Sequence, residues 1–295
     1  MSMRKQLVQT VETLLTQNDQ LVLLLGDISV FGFRKAFQEF PERVYNIGIL
    51  EQATIGVAAG LSKTAFIPVV HTIAPFLIER CLEQLKDDFC YQQLGGNFIS
   101  VGASYDYAAL GCTHHCPADV GTLKNLPGME IILPGTAKEF DQLFQQGYAN
   151  AHPTYYRLSE RENSLSFDVT FGKANIIQQG AKATVIAVGP LLEPVLQAVQ
   201  GLDVTVLYYT CLAPFDTETL KTNCPSSKIL LCEPYYSGGL VADILKALWP
   251  SPALIDCLGI PLAFLNHYGT VEEHDEALGF TPTEIRNRLE RLLNE

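Results

Sequence analysis

The chain lacks long hydrophobic runs and lacks runs of basic residues. Its apolar stretches, which include Leu21 to Leu25 and Ala183 to Val188, have the length of a β-strand, whereas a membrane helix needs about 20 apolar residues. The formal net charge is −12, so neither nucleic acid nor an acidic membrane surface is an expected partner. Arg4 and Lys5 are followed by a segment that Gln, Thr and Glu interrupt, so we expect no signal peptide.

Motifs of three common enzyme classes are also missing. No G-x-G-x-x-G follows the first apolar run, no P-loop occurs and no G-x-S-x-G is present. These absences argue against a dinucleotide-binding dehydrogenase, a P-loop nucleotide hydrolase and an α/β-hydrolase. The eight cysteines are scattered along the chain, so we interpret them as reduced thiols of a cytoplasmic protein rather than as a disulfide framework.

Short apolar runs alternate with segments of helical periodicity along the whole chain. In a chain that is 47% apolar, this alternation predicts an α/β protein of two doubly wound domains with mostly parallel sheets. We expect domains over residues 1–165 and 166–295, with a linker near 163–172 where the pattern breaks. We also expect one long helix from Pro75 through Tyr91, because proline suits the first turn of a helix.

The first candidate site surrounds Glu51. This residue stands between the segment N-I-G-I-L and a helix-forming run of small residues from Ala53 to Gly60. The helix dipole stabilises a carboxylate in the first turn, and burial there favours the protonated form. This combination is typical of a carboxyl that holds a proton for catalysis. The alternative is a helix-starting glutamate with a solvated head.

The second candidate site is the segment Leu110 to Pro117, which reads L-G-C-T-H-H-C-P. It follows a strand predicted over Phe98 to Gly102, and open α/β sheets bind ligands at the carboxyl ends of their strands. Because adjacent side chains diverge, one of His114 and His115 is expected to face a cleft while the other packs. A zinc site is disfavoured, since adjacent histidines suit one tetrahedral ion poorly. A packed or solvated pair without a role is the alternative.

Two further segments carry arginines that suit a ligand. Phe76 and Arg80 are four residues apart and share a face of the predicted helix, where a ring and a guanidinium can stack on a flat heterocycle. Arg157 and Arg161 lie near the carboxyl end of the strand predicted over Thr154 to Leu158, where they fit a phosphate or carboxylate. Core packing and ordinary salt bridges are the alternatives.

Taken in order, these motifs resemble those of the transketolase family. N-I-G-I-x-E-Q with A-x-G-L is followed by P-F-L, by G-x-T-H, by P-T-x-x-x-L-S and then by a separate C-terminal α/β domain. In detail the chain resembles the C-terminal subunit of split transketolases, which consists of a pyrimidine-binding domain and a transketolase C-terminal domain. 1-Deoxyxylulose-5-phosphate synthase and the β subunits of 2-oxoacid dehydrogenases are related.

The resemblance implies an enzyme that uses thiamine diphosphate to transfer a two-carbon ketol or acyl unit from a ketose or 2-oxoacid to an aldehyde. In that family the glutamate matching Glu51 bonds N1′ of the aminopyrimidine and favours the imino tautomer, whose 4′-nitrogen takes the proton from the thiazolium C2. The histidine matching His114 faces the substrate. The other site residues that the resemblance implies are Asp27, Phe76, Glu79 and Arg80 for the cofactor and His115, Arg161 and Arg4 for the substrate.

The chain departs from the family pattern at two positions. Family members carry an aspartate before the glycine of G-x-T-H that holds a donor hydroxyl, and here that residue is Leu110, which leaves room for a less polar substrate. Three residues after Phe76 the family has an aromatic residue or an arginine that stacks on the pyrimidine. Here Glu79 holds that position and Arg80 follows it, so a shift by one residue would let Arg80 stack.

The chain also lacks the Gly-Asp-Gly and the downstream Asn of a magnesium–diphosphate site, since Gly26-Asp27 is followed by Ile28. The resemblance therefore implies that an N-terminal-type subunit holds the diphosphate and Mg²⁺, that this chain supplies no metal ligand, and that two copies of each chain close two sites across their interface. Three other functions stay open. They are a 2-oxoacid dehydrogenase β subunit that passes an acyl group to a lipoyl carrier, a non-catalytic relative, and a self-sufficient α/β ligand-binding protein.

Overall fold

The computed structural model describes all 295 residues and consists of twelve strands in two sheets with twelve α-helices. The strands are β1 (Leu21–Leu25), β2 (Val44–Asn46), β3 (Ile67–Ile73), β4 (Gly96–Val101), β5 (Glu130–Ile132), β6 (Pro153–Arg157), β7 (Asn175–Gln178), β8 (Thr184–Val188), β9 (Thr205–Tyr209), β10 (Cys211–Ala213), β11 (Lys228–Tyr236) and β12 (Leu254–Ile260). The helices are α1 (Met3–Gln17), α2 (Arg34–Glu39), α3 (Glu51–Lys63), α4 (Ala74–Ile78), α5 (Leu82–Gln84), α6 (Asp119–Leu123), α7 (Ala137–Gly147), α8 (Leu192–Ala198), α9 (Thr217–Thr222), α10 (Val241–Leu248), α11 (Val271–Leu278) and α12 (Pro282–Asn294).

The first sheet has seven strands in the order β10-β5-β6-β4-β3-β1-β2, and the second has five in the order β12-β11-β8-β9-β7. Neighbouring strands are parallel except for β10 against β5 and β7 against β9. Every residue of β1, β8 and β9 is buried, as expected of parallel strands that are covered on both faces. The predicted fold class is confirmed.

The two halves of the chain pack against each other closely. β10 belongs to the second half but extends the first sheet, and one continuous apolar cluster contains both Tyr156 of β6 and Tyr208 of β9. In the segment between the sheets, the Asn163 side-chain amide donates to the carbonyl of Gly189 at 3.1 Å. None of the helices combines the length and the apolarity that a membrane crossing requires.

The predicted continuous helix from Pro75 through Tyr91 is wrong. α4 and α5 are separated by three residues, and Leu85–Cys90 form a π-helix. The chain opens because the Arg80 N–H reaches back to the carbonyl of Pro75 at 3.1 Å, while the Cys81 thiol donates to the carbonyl of Phe76 at 3.3 Å. The opening removes Arg80 from the helical repeat and changes the direction of its side chain.

Candidate active site

Glu51 is the first residue of α3 and is only 3% exposed. Its Oε2 accepts a hydrogen bond from Nη1 of Arg80 at 2.6 Å, whereas Oε1 is buried and has no partner. The N-terminus of a helix favours a negative charge, but a buried acceptor without a partner is costly. Glu51 therefore offers one unused oxygen within a buried site.

Phe76 connects the surroundings of Glu51 to His114. The guanidinium carbon of Arg80 lies 4.3 Å from the centroid of the Phe76 ring, and the His114 ring meets that ring edge-to-face with centroids 5.4 Å apart. Tyr107 lies beyond His114, at a centroid distance of 6.3 Å. Four of the residues expected at the site, Glu51, Arg80, Phe76 and His114, thus form one continuous surface, which we call the Glu51–His114 wall.

Glu79 and His115 line a separate cavity of about 70 Å³, to which the second half of the chain also contributes. The Cys116 thiol donates to Glu79 Oε1 at 3.7 Å, and burial raises the pKa of Glu79. His115 is buried with both ring nitrogens unpartnered, and its pKa is lowered by burial and by His274, whose ring centroid is 5.7 Å away. The adjacent histidines therefore diverge, with His114 on the wall and His115 packed against α11.

Asp27 is the second residue after β1 and has a left-handed conformation with φ of 57°. Its Oδ1 accepts from the side-chain amide of Asn46 at 3.0 Å, and Asn46 Oδ1 accepts from the Asp27 backbone N–H at 2.9 Å. This reciprocal pair ties the end of β1 to the end of β2. It therefore fixes the segment through which the chain enters α3 at Glu51.

Arg4 is held by a relay that the sequence did not predict. Its Nε donates to Ser29 Oγ at 2.9 Å, Ser29 Oγ lies 2.8 Å from His71 Nε2, and His71 Nδ1 lies 2.9 Å from the carbonyl oxygen of Ile99. Because a carbonyl only accepts, Nδ1 carries the proton and Ser29 donates to Nε2. Burial lowers the pKa of His71 to about 4, so this neutral form persists near pH 7. No local pattern could have linked residues from α1, β3 and the segment after β1.

The two arginines near β6 are both paired with carboxylates. Arg157 is buried, and its Nε donates to Oδ2 of Asp119 at 2.7 Å. Arg161 forms an ion pair with Asp275 of α11. The structure therefore shows Arg157 in a salt bridge rather than free to bind a phosphate or carboxylate. A phosphate-binding role for Arg161 requires that Asp275 release it.

The Glu51–His114 wall fits the pyrimidine half of thiamine diphosphate. Glu51 Oε1 is a buried acceptor in need of a donor, and Phe76 offers an aromatic face of the kind on which a planar ring stacks. The chain contains no group of three or more His, Cys, Asp or Glu side chains that is arranged to hold a metal ion.

Residues 1–164 match the pyrimidine-binding domain of transketolase, and residues 172–285 match the transketolase C-terminal domain. A protein of Rhodococcoides fascians, described as an uncharacterized 33.6 kDa protein in the fasciation locus, is 34% identical over 290 residues, which cover 96% of this chain and 92% of that protein. One of the subunits of the apulose-4-phosphate transketolase of Phocaeicola vulgatus is 30% identical over 275 residues, which cover 88% of this chain and 87% of that protein.

A solved structure described as a split gene transketolase, inactive beta4 tetramer, superposes with a TM-score of 0.86 at 24% identity, over 100% of this chain and 98% of that one. This likeness supports the shared fold. On the domain matches and the sequence relatives, the chain belongs to the transketolase family. The Phocaeicola protein is itself one subunit of a transketolase, and this chain aligns with it through both of the family's domains, as expected from the sequence.

Proposed function

We propose that the chain supplies the pyrimidine-binding half of a thiamine diphosphate site, while a second subunit supplies Mg²⁺ and the contacts to the diphosphate. The observation that carries the proposal is the buried, unused Oε1 of Glu51 at the start of α3, beside the ring of Phe76. The cofactor, when bound, provides the nucleophilic carbon for transfer of a two-carbon ketol or acyl unit.

Each residue of the wall has a role that its geometry supports. Glu51 shares a proton with N1′ of the pyrimidine through Oε1, in a site where burial of the carboxyl excludes water. His114 lies at the other end, where it orients the substrate and exchanges a proton with it. Thr113 Oγ1, 3.0 Å from Nδ1 of His114, restricts the imidazole. The Phe76 ring lies between Glu51 and His114 and contacts both Arg80, the partner of Glu51, and the His114 ring.

Two features favour a donor that is apolar near His114 and anionic at its end. Leu110 is 51% exposed in the loop that carries His114, where the family has an aspartate. Arg4 uses only its Nε for the bond to Ser29, so its two Nη groups are available to a phosphate or carboxylate. Asp27, on the neighbouring segment, is proposed to lie near the thiazolium ring.

The partner subunit is proposed to cover the start and the outer face of α3. Ile49 and Leu50 are exposed just before Glu51, and Gly56 and Gly60 leave an outer face of small residues along the helix. Exposed apolar residues beside a buried acid are typical of a surface that another protein covers. We propose an α2β2 assembly in the cytoplasm, with the pyrimidine-binding domain over residues 1–165 and the C-terminal domain over 166–295.

A calorimetric titration of thiamine diphosphate with Mg²⁺ tests the proposal. The titrant is added to this chain, to a diphosphate-binding subunit that co-purifies with it, and to the mixture of the two. Tight binding is expected in the mixture and not in this chain alone. Tight binding by this chain alone would contradict a site shared with the partner. No binding by the mixture would contradict the assignment of thiamine diphosphate as the cofactor.

A further inference from the structure

Arg80 contacts the same two side chains, Phe76 and Glu51, as the proposed cofactor ring. Its guanidinium lies over the Phe76 ring at 4.3 Å, and its Nη1 donates to Oε2 of Glu51 at 2.6 Å. A guanidinium is planar and carries N–H donors in its plane. It therefore resembles, in shape and in hydrogen bonding, an aminopyrimidine protonated at N1′, which stacks on an aromatic ring and donates to a carboxylate.

Arg80 is the movable member of its ion pair. Its side chain is 37% exposed, whereas that of Glu51 is 4% exposed. Arg80 also lies in the break between α4 and α5 rather than within a helix. Its long stem can therefore turn into solvent, where water replaces its hydrogen bond, while the carboxylate remains buried.

Departure of Arg80 leaves the Glu51 carboxylate buried with neither oxygen partnered, because Oε1 has no partner to begin with. A buried charge without a partner loses both its hydration and its hydrogen bonds. A group that replaces Arg80 must therefore bring an N–H donor to Glu51, and it gains a free face of Phe76 on which to stack.

We propose that Arg80 occupies the pyrimidine position of the empty subunit and leaves this position when the cofactor binds. The inference rests on the proposed function. Arg80 is a positioning residue: it keeps Glu51 paired and Phe76 covered before assembly, and it weakens cofactor binding by the free energy of its own contacts. If Arg80 instead stayed on Phe76 and stacked on the bound pyrimidine, its removal would weaken binding.

The test is a titration of thiamine diphosphate, at saturating Mg²⁺, into the complex of the partner subunit with the wild-type chain or with Arg80→Ala. Because the variant has no Arg80–Glu51 bond to break, we expect its dissociation constant to fall about tenfold, the effect of losing one hydrogen bond to a charged group near solvent. Arg34→Ala is the matched control, since Arg34 covers the Phe31 ring at 4.4 Å and forms no ion pair. Its dissociation constant should equal that of the wild type.

Two further variants separate this role from a structural one. In a Glu51→Gln background the tightening by Arg80→Ala is expected to disappear, because a neutral amide does not need the guanidinium. Arg80→Met keeps an unbranched stem over Phe76 and should also tighten binding, which provides a measurement if the alanine variant does not fold. Equal or weaker binding by the Arg80 variants, with a wild-type complex that binds, overturns this inference alone. No binding by any complex overturns the proposed function together with it.

Discussion

Replacing Asp119 by Asn should disturb the buried network that holds the loop of His114. Asp119 Oδ2 accepts from Arg157 Nε at 2.7 Å, and Arg157 Nη2 donates to Ser104 Oγ at 2.9 Å. Ser104 in turn pairs with Cys116 through the backbone, which closes the base of the loop that carries His114. The ion pair therefore connects the interior of the first sheet to the position of the histidine.

The size of the effect follows from the burial of the pair. In Asp119→Asn, Arg157 keeps its charge at a site where its side chain is 1% exposed, and an amide cannot neutralise that charge. Removing one partner of a buried ion pair costs about 3–5 kcal/mol, a large part of the roughly 5–15 kcal/mol by which a folded protein is stable. The double variant Asp119→Asn/Arg157→Met removes both charges, so it should lose less than the sum of the two single losses.

Urea unfolding followed by circular dichroism near neutral pH measures these losses. Lys138→Ala is the control, because Lys138 forms an exposed ion pair with Asp168 at 2.8 Å and exposed pairs contribute little. The control should unfold like the wild type. A loss of less than about 1 kcal/mol in Asp119→Asn, the size of an exposed pair, or fully additive losses in the double variant would contradict this role of the buried ion pair.

Two other substitutions probe the outer face of α3 and a buried carboxyl of β11. Gly60→Leu adds a side chain where nothing lies within 4 Å, so the chain should fold normally but fail to elute with its partner in size-exclusion chromatography; an intact complex would contradict the proposed docking face. Burial raises the pKa of Glu233 from 4.5 to about 7, although backbone N–H groups of Gly238 and Gly239 lower it. The folded chain then binds a proton that the unfolded chain has released, so the stability due to this carboxyl is complete below pH 4.5 and is lost as the pH rises to about 7. Glu233→Gln should flatten that decline in urea unfolding between about pH 5 and 7.5, and equal pH slopes for variant and wild type would contradict the assignment.

The strands and the environment of Glu51 could be predicted because their causes are local. A run such as Leu21 to Leu25 is apolar at every position since both faces of β1 are covered. Glu51 was recognisable because the signals for a helix start lie within a few residues of it. The short strands β7 and β10 carry no such signal, and they join their sheets as antiparallel edge strands whose partners lie elsewhere in the chain.

The contacts within the site could not be predicted, because they join distant segments. The apolar residues Leu77, Ile78, Cys81 and Leu85 fit a continuous helix, so nothing local revealed the break that directs Arg80 to Glu51. Arg161 and Asp275 come from different halves of the chain, and the relay from Arg4 joins four separate segments. Residue type and position suggested candidates for the site, whereas the partners of those side chains depend on the packing of the two halves.

The central claim is that Glu51 activates a cofactor held by another subunit. The most direct test is the rate at which the C2 proton of bound thiamine diphosphate exchanges with solvent deuterium, measured by rapid quench and NMR without any substrate. The complex should exchange this proton rapidly, and Glu51→Gln should slow the exchange by about 10²-fold or more, as expected for loss of an acid–base group. Glu83→Gln, at an exposed acid of α5, should keep the wild-type rate. Equal exchange rates in the wild-type and Glu51→Gln complexes, both with bound cofactor, would contradict the claim.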